Sequence, residues 1–124
     1  MNNSRKKKLL LDIQTRINLA KIAQKYLALS QETSDQGLNQ LAFDATLYYL
    51  LNIGEAVTNL DADFRETSPN IPWREIVGLR NRLAHNYDAI DVELVQATLK
   101  SPLDDLLNFC HIQLKTLSQG PLGA

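Results

Sequence analysis

The sequence predicts an all-α fold, an antiparallel helical bundle of about five helices. Apolar residues recur at helical spacing over long stretches, and no polar–apolar alternation runs long enough to indicate a strand. The five glycines and four prolines lie mostly between these stretches, where such residues mark turns. Long amphipathic helices joined by short connections are typical of antiparallel bundles.

The first half of the chain predicts two helices. The first covers about residues 4–30, and the turn-rich segment Ser30–Gly37 follows it. The second covers about residues 38–60 and is apolar on most sides, which predicts a central place in the bundle. The longest loop is predicted for Asp61–Asn70. The apolar positions of the first helix are Ile13, Ile17, Ala20, Tyr26 and Leu27.

A third helix is predicted to begin at Pro72, because a proline at the first helical position loses no hydrogen bond. It should end near Asn86, before a turn at Asp88–Ile90. Its predicted apolar face is formed by Trp73, Ile76, Leu79, Leu83 and Ala84.

Two further helices complete the predicted bundle. Asp91 is the predicted N-cap of the fourth helix, since its carboxylate can accept a free backbone N–H. Ser101 is predicted to cap the fifth helix, with Pro102 at its first position and its end near Leu117.

The length and composition indicate an ordinary globular chain. With 124 residues, we expect a single domain over residues 1–124, with flexible ends at 1–4 and 118–124. A content of 44% hydrophobic and 22% charged residues excludes disordered and low-complexity classes. A chain of this length buries enough surface to fold without disulfides or a structural metal.

Charge and cysteine content narrow the functional classes. The formal net charge of −1 excludes a nucleic-acid binder that depends on bulk positive charge, but not one that uses a small cleft. The single cysteine, Cys110, excludes an internal disulfide and a thiolate zinc cluster. The most apolar region, Leu41–Leu60, is interrupted by polar residues and predicts a core helix instead of a membrane span. We therefore expect a cytoplasmic protein without membrane association.

Arg80 lies within the apolar face of the third predicted helix. An arginine among core positions is costly unless its guanidinium meets an anion or a set of acceptors. Arg80 therefore forms an internal salt bridge, extends its guanidinium to solvent, or binds an anion such as phosphate. Tyr87, seven residues later, would share the side of Arg80 if the helix persisted.

His85 does not share that side, because five residues correspond to about 140° of rotation in an ideal helix. It aligns instead with Arg74, Gly78 and Asn81, and Gly78 leaves space beside it. Two routes can bring Arg80 and His85 to one substrate. The helix can loosen at its end, or a two-fold dimer can bring both copies of the motif to one cleft. Taken alone, His85 is equally compatible with a surface or structural role.

A narrow polar seam runs along the otherwise apolar second helix. Its members are Asp44, Tyr48, Asn52, Glu55 and Asn59, spaced by four, four, three and four residues. One interpretation is that the seam meets only water. The interpretation we favour places it against Arg80, with Glu55 or Asp44 orienting the guanidinium, because a tyrosine and two asparagines are poor choices for solubility alone.

An arginine and a histidine without a metal-ligand cluster are suited to phosphodiester chemistry. Arg80 can bind a phosphate and stabilise its developing charge, and His85 can transfer protons near neutral pH. In RNA the ribose 2′-hydroxyl is an internal nucleophile, so we expect no metal or cofactor, and products with a 2′,3′-cyclic phosphate. Glycine-rich phosphate loops, zinc-protease motifs and serine nucleophile elbows are absent from the sequence. Cys110 and His111 are predicted to be packing residues.

The segment Arg80–Tyr87 (RNRLAHNY) resembles the R-x4-H-x-Y motif of HEPN-domain proteins, specifically the HepT toxins of HepT–MntA modules. The resemblance extends over about residues 38–100. Its other segments are Phe43–Ala56 (FDATLYYLLNIGEA), similar to the family's second helix, Ile71–Leu79 (IPWREIVGL), which leads into the motif, and Asp91–Val95 (DVELV), which follows it. The termini match only in helical character.

The resemblance implies a homodimeric, metal-independent endoribonuclease, the toxin of a type VII-like toxin–antitoxin module. Arg80 and His85 of both protomers would be catalytic, Asn81 would help to position the phosphate, and Arg82 would add positive charge to the cleft. The partner would be an MntA-type nucleotidyltransferase antitoxin that silences the toxin by transferring AMP to Tyr87. Added phosphate next to Arg80 and His85 would occupy the anion site and repel RNA.

Two other functions fit the sequence. A non-catalytic HEPN domain would bind a nucleotide or dock a nucleotidyltransferase through the same basic and tyrosine-containing pocket. A purely structural helical module would use Arg80 only as a buried salt bridge. The intact set of Arg80, His85 and Tyr87 favours the ribonuclease, because a scaffold has less use for all three.

Overall fold

A computed structural model describes residues 1–119, apart from the side chains of residues 92 and 93. It confirms the all-α bundle, since these residues form helices and turns and contain no strand. The five predicted helices are present, together with a short one between the second and the third. The helices are α1 (Asn3–Thr33), α2 (Gln36–Thr58), α3 (Ala62–Glu66), α4 (Trp73–His85), α5 (Val92–Thr98) and α6 (Ser101–Gln119).

The hairpin of α1 and α2 forms the centre of the bundle. The α2 helix packs against both α1 and α4, and α1 also packs against α6. This arrangement confirms the central position predicted for the second helix. The shared core is a cluster of apolar side chains that are each at most 5% exposed. Its largest members include Leu10, Ile13, Ile17, Leu47, Ile53, Leu103 and Leu106.

The turn between α1 and α2 is much shorter than the predicted segment Ser30–Gly37. Helix α1 continues to Thr33, and Ser34 ends it in the left-handed conformation, with φ of 55°. The Asp35 carboxylate then accepts the Leu38 N–H at 3.0 Å and caps α2. Ser30, predicted to be a turn residue, is buried and its hydroxyl donates to the Leu27 carbonyl. A serine hydroxyl can donate to a backbone carbonyl within a helix, so the small polar residues of this segment led to a predicted turn that is too long.

The predicted loop Asp61–Asn70 contains α3, so this part of the prediction is wrong. The Asp61 carbonyl accepts the Arg65 N–H at 3.0 Å and begins a single helical turn. Phe64 on this turn packs against Phe109 of α6, with ring centroids 5.5 Å apart. Tertiary packing of one aromatic side chain thus fixes a helix that is too short to form alone.

The first residues of α4 and α6 differ from the prediction by one position. Pro72 precedes α4 instead of opening it, and its carbonyl accepts the Ile76 N–H at 3.1 Å. Helix α4 ends before Asn86, as predicted, and a 3-10 turn follows at Tyr87–Ala89. Ser101 is the first residue of α6, and its hydroxyl donates to Asp105 instead of capping the helix. The predicted cap by Asp91 is confirmed, since its carboxylate accepts the Leu94 N–H at 3.4 Å.

Three predicted packing positions are wrong. Tyr26 is 51% exposed, because it lies at the outer edge of the contact between α1 and α2. Ala84 is exposed beside the buried Leu83, so the apolar face of α4 is narrower than predicted. Cys110 is fully buried, but the adjacent His111 is exposed. Neighbouring residues on a helix are about 100° apart, so only one of the two faces the core.

Within residues 1–119, no helix is long and apolar enough to cross a membrane.

Candidate active site

The guanidinium of Arg80 is held against α2 by Glu55. Its Nε and Nη2 atoms both donate to Glu55 Oε1, at 2.9 and 2.6 Å. Its Nη1 atom donates to the side-chain oxygen of Asn81 at 2.8 Å. The side chains of Arg80 and Glu55 are 26% and 45% exposed, so the pair lies at the surface edge of the helix interface. The favoured interpretation of the seam is thus confirmed for Glu55, which orients Arg80.

Arg80 keeps donors available for an anion. Arginine has five N–H groups, and three of them are used in the hydrogen bonds to Glu55 and Asn81. Two N–H groups therefore remain without a partner among the described residues, one on each terminal nitrogen. Arginine binds phosphate through two parallel hydrogen bonds from such a fork. The site can therefore bind an anion without breaking the contact to Glu55.

Gly54 explains how Arg80 reaches this position. A β carbon at Gly54 would lie 2.3 Å from the Arg80 β carbon and 2.8 Å from its γ carbon. Only glycine leaves room for the Arg80 stem to lie on α2 and direct its guanidinium to the adjacent Glu55. The sequence interpretation did not assign Gly54 a role. The available signal was a glycine inside an apolar helix, where it costs about 0.5–1 kcal/mol relative to alanine.

His85 lies on a different side of α4 from Arg80. It is the last residue of a regular helix, since the Asn86 N–H still donates to the Arg82 carbonyl at 2.7 Å. The helix does not loosen before His85, so the rotation of about 140° between His85 and Arg80 persists. The imidazole is exposed, and the space beside Gly78 is open, as expected. One protomer alone therefore does not bring the two side chains together.

Tyr87 reaches α2 through the turn that follows α4. Its hydroxyl donates to Asp44 Oδ1 at 3.3 Å, and the Gln40 amide donates to the same oxygen at 2.9 Å. The side chain of Tyr87 is 46% exposed. Partial burial, followed by the negative charge of Asp44 and this hydrogen bond, raises the pKa of Tyr87 above its ordinary value. The helix does not persist to Tyr87, yet the turn places its hydroxyl on the α2 side.

The polar seam contacts the motif at two points. Glu55 meets Arg80 and Asp44 meets Tyr87, while Tyr48 between them is 57% exposed. The Asn52 and Asn59 amides donate to carbonyls one turn earlier in α2. The seam thus forms a polar surface along α2 with the motif at its border.

Arg82 faces away from this surface. It lines a separate cavity of about 460 Å³ between the end of α4 and α5, together with Asn86, Ile90 and Leu94. Two residues correspond to about 200° of rotation, so Arg82 and Arg80 lie on nearly opposite sides of α4. Asn81, in contrast, contacts Arg80 directly.

Among residues 1–119, no three or more His, Cys, Asp or Glu side chains are close enough to hold a metal ion.

Comparison with known proteins identifies relatives of the chain. The family model described as "Ribonuclease HepT-like" matches residues 16–112. The chain is 45% identical over 62 residues to a candidate RNase of Methanocaldococcus jannaschii. These aligned residues are 50% of this chain and 57% of the relative. It is 41% identical over 54 residues to "Probable ribonuclease HepT" of Thermococcus cleftensis, and the alignment covers 44% of this chain and 49% of the relative. A candidate RNase of Caldanaerobacter subterraneus subsp. tengcongensis is 39% identical over 54 residues, and the alignment covers 44% of this chain and 48% of the relative.

The matched region spans about half the length of these curated relatives. No solved structure matches the chain significantly.

Proposed function

Since the chain belongs to the HepT-like ribonuclease family, we propose that it is an endoribonuclease toxin that cleaves RNA without a metal. The 2′-hydroxyl of the substrate would attack the adjacent phosphorus and release a 5′-hydroxyl product, leaving a 2′,3′-cyclic phosphate. The cytoplasm supplies the RNA, and we propose that the protein acts there. The observation that carries this proposal is the state of Arg80, which Glu55 and Asn81 hold in place while two of its N–H groups remain available.

Arg80 binds the scissile phosphate in this mechanism. Charge on the phosphate oxygens increases in the transition state, and a pre-oriented guanidinium stabilises it without further reorganisation. The contact to Glu55 fixes the direction of the fork before RNA binds. Asn81, which already accepts a hydrogen bond from Arg80, helps to set this orientation. Arg82 lies on nearly the opposite side of α4 from Arg80, so it would attract a part of the RNA strand away from the reacting phosphate.

His85 transfers protons to and from the reacting oxygens, because its ordinary pKa lies near neutral pH. The rotation between Arg80 and His85 within one protomer supports the dimer route. In a homodimer, His85 of one protomer would serve Arg80 of its partner, and the two Arg80–His85 pairs would face one shared cleft. Leu41 and the seam residue Tyr48, which are 71% and 57% exposed on α2, offer large side chains that support association between copies.

A mixed-dimer experiment tests this arrangement. Arg80→Ala and His85→Ala chains are denatured together, refolded at equal amounts and assayed on single-stranded RNA. Random pairing gives about half mixed dimers, each with one complete Arg80–His85 pair, so about a quarter of wild-type activity returns. Each variant refolded alone is the control and stays inactive. If the mixture is as inactive as the controls, the two residues act within the same chain and the shared cleft is wrong.

We further propose that a nucleotidyltransferase partner silences the toxin by transferring AMP to the Tyr87 hydroxyl. The hydroxyl is accessible, and it lies on the α2 side of the motif, where Arg80 also contacts α2. An AMP group placed there would add negative charge and bulk beside the motif and would repel the RNA backbone. Mass spectrometry of the protein after treatment with the partner and ATP tests the site. An AMP-sized increase on a peptide other than the one with Tyr87 would overturn the assignment.

A further inference from the structure

We propose that Asp44 positions the Tyr87 hydroxyl and accepts its proton when a nucleotidyl group is transferred to it. This inference rests on the proposed modification of Tyr87 and adds the group on this chain that makes the hydroxyl reactive. In this proposal the proton acceptor for the transfer belongs to the modified chain itself and not to its partner.

The contact joins two segments that are distant in sequence. Asp44 lies on α2, 43 residues before Tyr87, and its Oδ1 atom accepts the tyrosine O–H at 3.3 Å. This distance is longer than the usual 2.7–2.8 Å for O–H donors, as is common at catalytic contacts before substrate binds. The Gln40 amide donates to the same oxygen at 2.9 Å and fixes the carboxylate on α2. The acceptor is therefore oriented before any nucleotide arrives.

The transfer needs a proton acceptor at this point. The Tyr87 oxygen attacks the α-phosphorus of a nucleoside triphosphate, the new O–P bond forms and the bond to pyrophosphate breaks. The phenolic proton must leave the same oxygen, and in this proposal it passes to the Asp44 carboxylate. Burial and the charge of Asp44 keep the free phenol protonated, since they raise the pKa of Tyr87. As the O–P bond forms, the oxygen becomes far more acidic, and a carboxylate is then a sufficient base.

Asp88 is a second acidic group whose charge acts on this hydroxyl. Its negative charge also raises the pKa of Tyr87, but less than that of Asp44, and no hydrogen bond joins the two side chains. It lies in the same 3-10 turn as Tyr87 and is exposed. Asp88→Asn therefore removes one negative charge from the same turn without removing the contact, which makes it the matched control for Asp44→Asn.

The experiment follows incorporation of radiolabelled AMP from ATP into the full chain by its cognate nucleotidyltransferase, between pH 6 and 9. Asp44→Asn keeps an oxygen that can accept the hydrogen bond, but an amide cannot accept the proton at this pH. We expect labelling of Asp44→Asn to be about 100-fold slower than that of wild type, close to Asp44→Ala, with a rate that rises with hydroxide concentration. Asp88→Asn should stay within about twofold of wild type.

The outcomes separate this inference from the proposed function. If wild type is labelled on Tyr87 and Asp44→Asn is labelled equally fast at every pH, Asp44 is not the proton acceptor. If only Asp44→Ala is slow, Asp44 positions the hydroxyl and the proton-transfer part is wrong. If wild type is not labelled on Tyr87, the proposed silencing itself fails, and this inference fails with it. Circular dichroism and thermal unfolding of each variant show whether a slow rate reflects loss of the fold.

Discussion

The side chain of Arg80 lies directly on the backbone of Gly54, so that a β carbon at Gly54 would come within 2.3 Å of the Arg80 β carbon. The Arg80 β carbon is attached to the backbone of α4 and has no freedom to turn away. The distance between α2 and α4 at this point is therefore set by the absence of a side chain. The next residue on α2, Glu55, then receives the guanidinium. Two consecutive residues of α2 thus give Arg80 its position and its direction.

Gly54→Ala should lower both stability and activity. The added methyl group forces α2 and α4 apart, and overpacking of this kind costs about 1–3 kcal/mol. The same displacement moves Arg80 relative to Glu55, so RNA cleavage should fall even at a temperature where the variant is fully folded. Chemical denaturation and a cleavage assay measure the two effects.

Gly78→Ala is the matched control on α4. Apart from its chain neighbours and the backbone of its own helix, a β carbon there would have no heavy atom within 4 Å. Alanine in a helix is more favourable than glycine by about 0.5–1 kcal/mol, so this variant should be slightly more stable than wild type. Equal stability changes in the two variants would contradict the close approach of α2 and α4 at Gly54.

Glu55→Ala should reduce activity much more than stability. The pair with Arg80 is partly exposed, and such pairs contribute about 0–1 kcal/mol to folding. Loss of the carboxylate leaves the guanidinium free to rotate, and misplacement of a catalytic group by 1 Å can cost about 100-fold in rate. We therefore expect kcat to fall by about 10–100-fold with a free energy of unfolding within about 1 kcal/mol of wild type.

The exposed pair of Lys21 and Asp104 provides the control for Glu55. Asp104→Ala removes a comparable ion pair between α1 and α6, far from the motif, and should change neither rate nor stability appreciably. Comparable kcat losses in the two variants would mean that Glu55 acts through general electrostatics and not by orienting Arg80.

The pH dependence of stability should carry a contribution from Tyr87. Its pKa in the fold is raised above the ordinary value of 10.0, so the fold favours the protonated phenol. The resulting stabilisation is fully present below pH 10 and is lost as the pH rises through the raised pKa. The difference in free energy of unfolding between wild type and Tyr87→Phe should therefore change only on the alkaline side. The other alkaline titrations are common to both chains and cancel in this difference.

Asp44→Asn should lower the pKa of Tyr87, because it removes the carboxylate charge that opposes ionisation. Ultraviolet titration of tyrosine ionisation, with Tyr87→Phe subtracted, measures this pKa directly. An unchanged pKa in Asp44→Asn would mean that the contact seen between the two side chains does not persist in solution.

Cys110 should report unfolding of the whole bundle. Its thiol is fully buried, and burial raises its pKa to about 12. Since only the thiolate reacts with disulfide reagents, labelling at pH 8 should require opening of the core. Its rate should rise with denaturant in parallel with the open fraction. Fast labelling of the native chain, independent of denaturant, would show that the core around α6 opens locally.

Much of the fold was accessible from the sequence because helical periodicity is a local property. The five predicted helices, the stop before Asn86 and the cap by Asp91 all depend on neighbouring residues. The link between Glu55 and Arg80 also followed from pattern, since each interrupts an apolar face and opposite charges compensate each other.

The remaining features depend on tertiary distances that no local pattern contains. Gly54 matters only because α4 crosses α2 there. Tyr87 meets Asp44 only because the chain leaves the helix at Asn86 and turns towards α2. Helix α3 forms because Phe64 packs against Phe109, a contact between segments 45 residues apart in sequence. Flexible ends were predicted at residues 1–4 and 118–124. Residues 3 and 4 belong to α1, and residues 118 and 119 belong to α6. Residues 120–124 lie outside the described part of the chain.

A cleavage assay tests whether Arg80 and His85 cleave RNA without a metal. Wild type, Arg80→Ala and His85→Ala are dialysed against EDTA and incubated with a 5′-labelled single-stranded RNA, and the products are resolved and their ends identified. We predict that wild type produces fragments ending in a 2′,3′-cyclic phosphate, while both variants are inactive although they fold with the wild-type circular dichroism spectrum. Undiminished cleavage by EDTA-treated His85→Ala, or wild-type activity that appears only when a divalent metal is added, would rule out this mechanism.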